Sequence, residues 1–156
     1  MTAEKISVIT CNVNGIRAAQ RKGFFAWCEA QDADFICLQE TKADEKVMQQ
    51  ETFVMKNYHL YFTSAEKKGY SGVAIYTKHK PESVITIHDD PIMGPEGRYI
   101  AVEYSNLRII SLYLPSGTSG EVRQDEKMKL CDRFYQKYLT DKLTDKPTII
   151  CGDWNI

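Results

Sequence analysis

Thr148-Ile149-Ile150-Cys151-Gly152-Asp153-Trp154-Asn155 is an apolar run that leads into a carboxylate and an amide. Its first four residues lack polar alternation, which reads as a strand covered on both faces. Covered strands of open α/β sheets present ligand-binding groups just past their carboxyl ends. The stretch therefore predicts a strand over 148–151, with Asp153 and Asn155 in a site. Two earlier segments have the same form. Lys5 to Asn12 alternates toward β through Ile6, Val8 and Ile9 and exits through Asn12 and Asn14, while Phe35-Ile36-Cys37-Leu38 exits through Gln39-Glu40-Thr41-Lys42. Three strands ending in polar groups imply one shared site. A site this near the last residue, Ile156, predicts a single incomplete domain over 1–156 whose C-terminal part lies outside the chain.

Between these segments, Asn14-Gly15 marks a turn, and Phe24 to Gln31 has the spacing of a short helix with Phe24, Phe25, Trp27 and Cys28 inward. Tyr58–Thr63, Val73–Thr77, Ser83–His88, Tyr99–Tyr104 and Leu107–Leu114 are rich in β-branched and aromatic residues. Gly69, Gly72, Pro81, Pro91 and Gly94 break them up, which predicts a meander of strands. Asn106 marks a tight hairpin between the last two. Glu121 to Leu139 has helical spacing through Val122, Met128, Cys131, Phe134, Tyr135 and Tyr138, a stripe expected to face the core.

The 156 residues, 43% hydrophobic and 26% charged, fit one globular domain with a real core. Met1 to Ile6 carries no basic segment leading into an apolar run, and no stretch approaches the ~20 apolar residues of a membrane span, so a cytoplasmic address is expected. Cys11, Cys28, Cys37, Cys131 and Cys151 lie mostly in apolar runs without metal-binding spacing, as reduced core thiols do. The net charge of -1 neither demands nor excludes a nucleic acid, so an anionic partner has to be met locally. Arg17, Arg21 and Lys22 form one positive cluster, and Lys67 and Lys68 beside Tyr70 another; clusters of this kind are most often solvated faces.

A hard divalent cation such as magnesium takes oxygen ligands, commonly one or two carboxylates completed by water and substrate phosphate, and Glu40 suits that part. Phosphodiester hydrolysis also needs a water activated near phosphorus and stabilisation of charge on the phosphate oxygens. Asp153 suits the first role, and Asn12, Asn155 or a phenol such as Tyr113 suits the second. Each residue has a plainer reading: Asn14-Gly15 as a turn, Glu40 as a solvated carboxylate, Asp153 as an Asx turn, Tyr113 as a strand-end aromatic.

Six ordered motifs resemble the exodeoxyribonuclease III branch of the apurinic/apyrimidinic (AP) endonucleases: Asn12-Val13-Asn14-Gly15-Ile16-Arg17-Ala18, Leu38-Gln39-Glu40-Thr41-Lys42, Gly69-Tyr70-Ser71-Gly72-Val73, Glu96-Gly97-Arg98, Tyr113-Leu114-Pro115 and Gly152-Asp153-Trp154-Asn155. The resemblance implies an α/β four-layer sandwich, two mixed β-sheets packed face to face and flanked by helices. It implies magnesium, with manganese as a substitute, held principally by Glu40, with Asn12 and Asn14 as further metal or water contacts. Asp153 would handle the attacking water or the leaving oxygen, and Asn12, Tyr113 and Asn155 would contact the scissile phosphate. Arg17, Lys22, Lys42 and Tyr70, again with Asn155, would bind DNA.

The implied activity is cutting duplex DNA 5′ of abasic sites and trimming 3′ ends, by a protein expected to be monomeric at full length. Ser116 departs from the pattern, since several relatives carry a longer amide there. The family also uses a histidine with a partner aspartate, a further metal-binding aspartate and a sugar pocket, all nearer its C-terminus, and His59, His79 and His88 match none of these. Two alternatives follow: residues 1–156 alone as a non-catalytic fragment with weak DNA or metal binding, or a phosphohydrolase of the same superfamily acting on another phosphodiester.

Overall fold

The computed structural model describes residues 5–116, 121–139 and 145–155. Its elements are β1 (Val8–Asn12), α1 (Ile16–Arg21), α2 (Phe24–Gln31), β2 (Phe35–Gln39), α3 (Glu45–Met48), β3 (His59–Thr63), β4 (Val73–Thr77), β5 (Ser83–Thr86), β6 (Tyr99–Glu103), β7 (Arg108–Tyr113), α4 (Glu121–Phe134) and β8 (Thr148–Asp153). The strands form two four-stranded sheets, in the orders β1-β2-β4-β3 and β5-β6-β7-β8. Both are mixed: β1 runs parallel to β2 and β7 parallel to β8, and the remaining pairs are antiparallel.

Strand periodicity explains the layering. On β2, Phe35 and Cys37 face inward and pack with Val73, Ile75, Ile100, Val102, Ile109 and Cys151 into a core between the sheets. Its alternate residues Ile36 and Leu38 face outward, under Ile16, Phe25, Cys28, Met48 and Phe53. The second sheet does the same, with Ala101, Ile110 and Leu112 packing against Leu130 and Phe134 of α4. Every residue of β2 is buried, as its unbroken apolar run requires. The result is helix, sheet, sheet, helix. No helix among the described residues is long and apolar enough to cross a membrane.

Several sequence expectations need correction. The predicted meander is split: β3 and β4 complete the first sheet, while β5, β6 and β7 build the second. Helix α1 was not anticipated, because only Ile16 and Ala19 of its six residues are buried and so short a segment carries little periodicity. Trp27 is half exposed and stacks on Phe24, with ring centroids 6.1 Å apart, instead of turning inward. On α4 the buried positions are Lys127, Leu130 and Phe134, whereas Val122 and Met128 are exposed, as is Tyr135 in the π-helical turn (Tyr135–Leu139) that follows; the side chain of Tyr138 is outside the described set. Strand β5 stops at Thr86, two residues before His88. Strand β8 runs on through Asp153 and is half-buried along most of its length, not covered on both faces. The predicted hairpin does form, closed by Tyr104 N–H donating to Leu107 O at 2.9 Å.

The first sheet is tied at the end remote from Glu40 by Asp34, whose Oδ2 accepts from Ser7 N (2.9 Å) and Ser7 Oγ (2.7 Å) and whose Oδ1 lies 3.2 Å from His79 Nε2. The Ser7 main-chain hydrogen bond, with help from its hydroxyl and from His79, lowers the Asp34 carboxyl to about 2. A carboxyl depressed below the ordinary value of about 3.9 contributes stability at neutral pH that is lost as pH falls toward 2. Asp34→Asn is therefore expected to cost about 1–2 kcal/mol at pH 7. In urea titrations the gap between wild type and variant should close between about pH 4 and pH 2; a gap independent of pH would contradict this origin.

Candidate functional site

The parallel pairs decide where the polar strand ends go. Asn12 and Gln39 are register partners at the carboxyl ends of β1 and β2, as are Tyr113 and Asp153 on β7 and β8. The two sheets face each other, and β8 packs against both β1 and β2, so all four ends meet at one edge of the sandwich. The joining residue is Asn12. Its Nδ2 donates to Glu40 Oε1 at 2.8 Å and to Asp153 Oδ2 at 2.8 Å, so one neutral amide satisfies two carboxylates from different sheets. Asn12 Oδ1 in turn accepts from Asn14 N at 3.0 Å.

Glu40 has further partners. Lys42 Nζ lies 3.1 Å from Glu40 Oε2 and also donates to Asn14 Oδ1, and the Tyr113 phenol hydrogen-bonds the Glu40 carboxylate. Burial pushes the Glu40 carboxyl up, but the hydrogen bonds from Asn12, Tyr113 and Lys42, with the charge of Lys42, outweigh it and hold the group below its ordinary value. Burial and the adjacent Glu40 push the Tyr113 phenol up to about 12, so at neutral pH it remains a hydrogen-bond donor. Asn155 N donates to Asp153 Oδ1 at 3.0 Å and Asn155 Nδ2 to Leu114 O at 2.6 Å, while the Asn155 carbonyl accepts from Lys127.

The backbone here is unusual. Asn14 (φ 45°), Glu40 (φ 53°), Lys42 (φ 50°) and Asn155 (φ 50°) all occupy the left-handed region, which costs a non-glycine residue about 1–2 kcal/mol and tends to concentrate at functional sites. Neighbouring loops hold these conformations in place: Gly15 N donates to Glu40 O (2.7 Å), Ile16 N to Thr41 O (2.8 Å), Thr41 N to Gly72 O (3.1 Å) and Lys42 N to Ser71 O (2.8 Å). Gly72 sits at φ +86°, and a Cβ there would lie 2.3 Å from Thr41 Oγ1. Gly72→Ala is expected to destabilise the protein by about 2 kcal/mol or more through strain and overpacking. Thermal unfolding checks it, and an unchanged melting temperature would count against the close loop packing.

Sequence reasoning assigned no role to Arg98, Gln39 or Lys127, all of them buried. The Arg98 guanidinium stacks 4.6 Å from the Tyr113 ring centroid and donates to Tyr70 OH (3.0 Å), Tyr113 O (3.0 Å) and Glu96 Oε2 (2.5 Å). It links the tyrosine expected to bind DNA with the one expected to contact phosphate. Gln39 Nε2 donates to Ser111 Oγ at 3.0 Å, joining the sheets just behind the site. The charged pair flanking glycine in Glu96-Gly97-Arg98 is the one sequence signal that could have flagged Arg98.

A cavity of about 470 Å³ opens beside this cluster, lined among others by Tyr70, Arg98, Tyr113, Ser116 and Lys127. Lys67 lies over the Tyr70 ring at 5.3 Å from its centroid. The structure thus gathers Asn12, Asn14, Glu40, Lys42, Tyr113, Asp153 and Asn155, with Tyr70 attached through Arg98. Arg17 and Lys22 are exposed on α1 and its C-terminal cap, outside the cluster; Lys22 borders a second cavity with Asn12, Phe24 and Trp27. Of the histidines, His79 pairs with Asp34 at the far end of the sheet and His88 with Thr86, away from Asp153.

The donor set suits a hard cation. Glu40 Oε2 and Asn14 Oδ1 are both oxygens, and they already share a positive charge, the Lys42 ammonium, between them. No group of three or more acidic, histidine or cysteine side chains that could hold a metal occurs among the described residues, so water and phosphate oxygens would have to complete the coordination.

Residues 9–156 match the Endonuclease/Exonuclease/phosphatase family. The chain is 37% identical over 152 residues to an exodeoxyribonuclease of Bacillus subtilis, covering 97% of this chain and 59% of that protein. It is 35% identical over 156 residues to the DNA repair nuclease APEX1 of Danio rerio, covering 99% of this chain and 50% of that one. An AP endonuclease structure from Archaeoglobus fulgidus superposes with a TM-score of 0.83 at 28% identity over 97% of this chain and 58% of its own. The chain thus spans about half to three fifths of the length of these relatives. With its two mixed sheets and its strand-end cluster, it belongs to the Endonuclease/Exonuclease/phosphatase family, and the relatives it matches within that family are named exodeoxyribonuclease and AP endonuclease.

Proposed function

We propose that the whole protein is a magnesium-dependent DNA-repair phosphodiesterase that cuts duplex DNA 5′ of abasic sites and removes 3′ nucleotides or 3′ blocking groups. Residues 1–156 would supply its metal and phosphate contacts. The observation that carries this reading is the single amide of Asn12 joining Glu40 of one sheet to Asp153 of the other, a polar centre where the carboxyl ends of strands from both sheets meet. The relatives' names point to DNA, and a bacterial 3′ phosphatase of the same fold has been captured with a product DNA hairpin.

Each side chain has a task in that reaction. Glu40, with Asn14 and Asn12 behind it, would hold magnesium, and manganese could replace it. When bound, the ion would neutralise charge on the phosphate oxygens. Asp153, a carboxylate fixed by Asn12 and by Asn155 N–H, accepts the proton of the attacking water or orients it. Tyr113, protonated well above neutral pH, donates to a phosphate oxygen, and Asn155 adds an amide donor. Lys42, Arg17, Lys22 and Tyr70 supply charge and a ring for the DNA backbone, and Arg98 sets the Tyr70 hydroxyl. The site is proposed to work in the cytoplasm and in a monomer.

The test is a duplex carrying one abasic site, incubated with the full-length gene product and magnesium. Cleavage 5′ of the lesion that chelation of the metal abolishes is expected; an uncut duplex counts against the reading. The position of the described histidines favours a second expectation for residues 1–156 alone. With no imidazole beside Asp153, these residues should bind DNA or metal weakly and turn over slowly, since general acid–base chemistry contributes about 10²–10⁴-fold. Nicking by the purified chain at the rate of the full-length protein would refute that.

A further inference from the structure

Cys37 and Cys151 come from opposite sheets, yet they share the core between them, Cys37 fully buried and Cys151 8% exposed. Sheet register places them next to each other independently of the sulfurs. Gln39, two residues from Cys37 on the same face of β2, donates to Ser111 Oγ at 3.0 Å, and Ser111 donates to Leu38 O at 3.0 Å. Ser111 is in turn the register partner of Cys151 on the neighbouring strand. The two thiols share the core between the sheets. All five cysteines are free in this structure.

We propose that Cys37 and Cys151 are a modification site: a peroxide-class oxidant converts them to an intramolecular disulfide that staples the two sheets. Thiols facing each other across two packed sheets can be joined by an inter-sheet disulfide where their backbones lie close enough. Cys151, the less buried residue of the two, reacts first: its sulfur takes one peroxide oxygen, the O–O bond breaks, and one water leaves. The Cys37 sulfur then attacks the Cys151 sulfur, the S–O bond breaks, and the departing hydroxide leaves as a second water with the Cys37 proton. Two thiols lose two electrons and two protons, and one hydrogen peroxide becomes two waters.

The bond lies three residues before Glu40 and two before Asp153, so it joins the two strands that present the carboxylates. The inference does not depend on the proposed reaction. Cys11 and Cys28 belong to the outer core of the first sheet and Cys131 to α4, each apart from this pair.

The reduced 156-residue chain, treated with hydrogen peroxide, unfolded and titrated for thiols, should fall from five free thiols to three, reversibly with dithiothreitol. The triple variant Cys11→Ala, Cys28→Ala, Cys131→Ala should fall from two to none while remaining a monomer on gel filtration. Unreduced peptide mass spectrometry of that variant should show the segment holding Cys37 bonded to the one holding Cys151. The proposal is overturned if both thiols stay alkylatable, if they end as sulfinic acids, if the bond links two chains, or if wild type pairs Cys11 with Cys28 instead.

Discussion

Glu40→Gln in the full-length protein is expected to lower magnesium-dependent hydrolysis of an abasic duplex by about 10³-fold, the equivalent of about 4 kcal/mol of transition-state stabilisation. The substitution is nearly isosteric, and its amide oxygen can still accept from Asn12, so the fold should survive. What disappears is the negative oxygen that balances Lys42 and would hold the ion, together with an acceptor for the Tyr113 phenol. The loss should therefore fall on kcat more than on KM and should shrink as magnesium is raised. Single-turnover rates over a magnesium series check this. A rate within tenfold of wild type at every magnesium concentration would remove Glu40 from the centre.

Arg98→Met is expected to destabilise the 156-residue chain by about 2–4 kcal/mol, the largest stability effect anticipated at the site. The side chain is 2% exposed. Methionine fills part of the space, but the Tyr113 carbonyl and the Tyr70 hydroxyl each lose a buried partner, which costs about 1–3 kcal/mol apiece before relaxation. The stacking on the Tyr113 ring is lost as well. Glu96, partly exposed, can hydrate and so recovers some of the loss. Arg98→Lys keeps the charge without the fork and should fall in between. Urea unfolding midpoints measure all three chains; a shift for Arg98→Met below about 0.5 kcal/mol would show that the buttress carries no load.

The parts of the fold legible in the sequence were those written locally. The unbroken apolar run Phe35 to Leu38 fixed β2 as covered on both faces, and the polar residues after it fixed Glu40 at a strand end. Which sheet each later strand joins was not legible, because β4 pairs with β2 over a long sequence separation while β5 begins six residues after β4 in the other sheet. Helix α4 misled for a different reason. Two stripes at helical spacing compete on it, and the one that wins includes Lys127, a charged residue that sequence patterning reads as surface but that is buried because its ammonium reaches the Asn155 carbonyl. Arg98 escaped notice on the same ground.

The individual site residues were visible as strand-end polar groups. Their meeting was not, since Asn12 and Asp153 lie 141 residues apart and touch only because two sheets stack. The resemblance carried by the six motifs is what implies that meeting at the level of sequence. It could not supply the strained backbone at Glu40 and Lys42 or the Lys42 bridge to Asn14, which depend on how three loops lace together.

The most direct test of the claim that Glu40 and Asp153 form one centre is a double-mutant cycle on kcat/KM for abasic-duplex cleavage by the full-length protein, using Glu40→Gln, Asp153→Asn and the pair. Groups acting on the same phosphate lose function together, so the double variant should be no more than about tenfold worse than the poorer single. Losses that multiply in full, or single variants that cut as well as wild type, would contradict a shared centre.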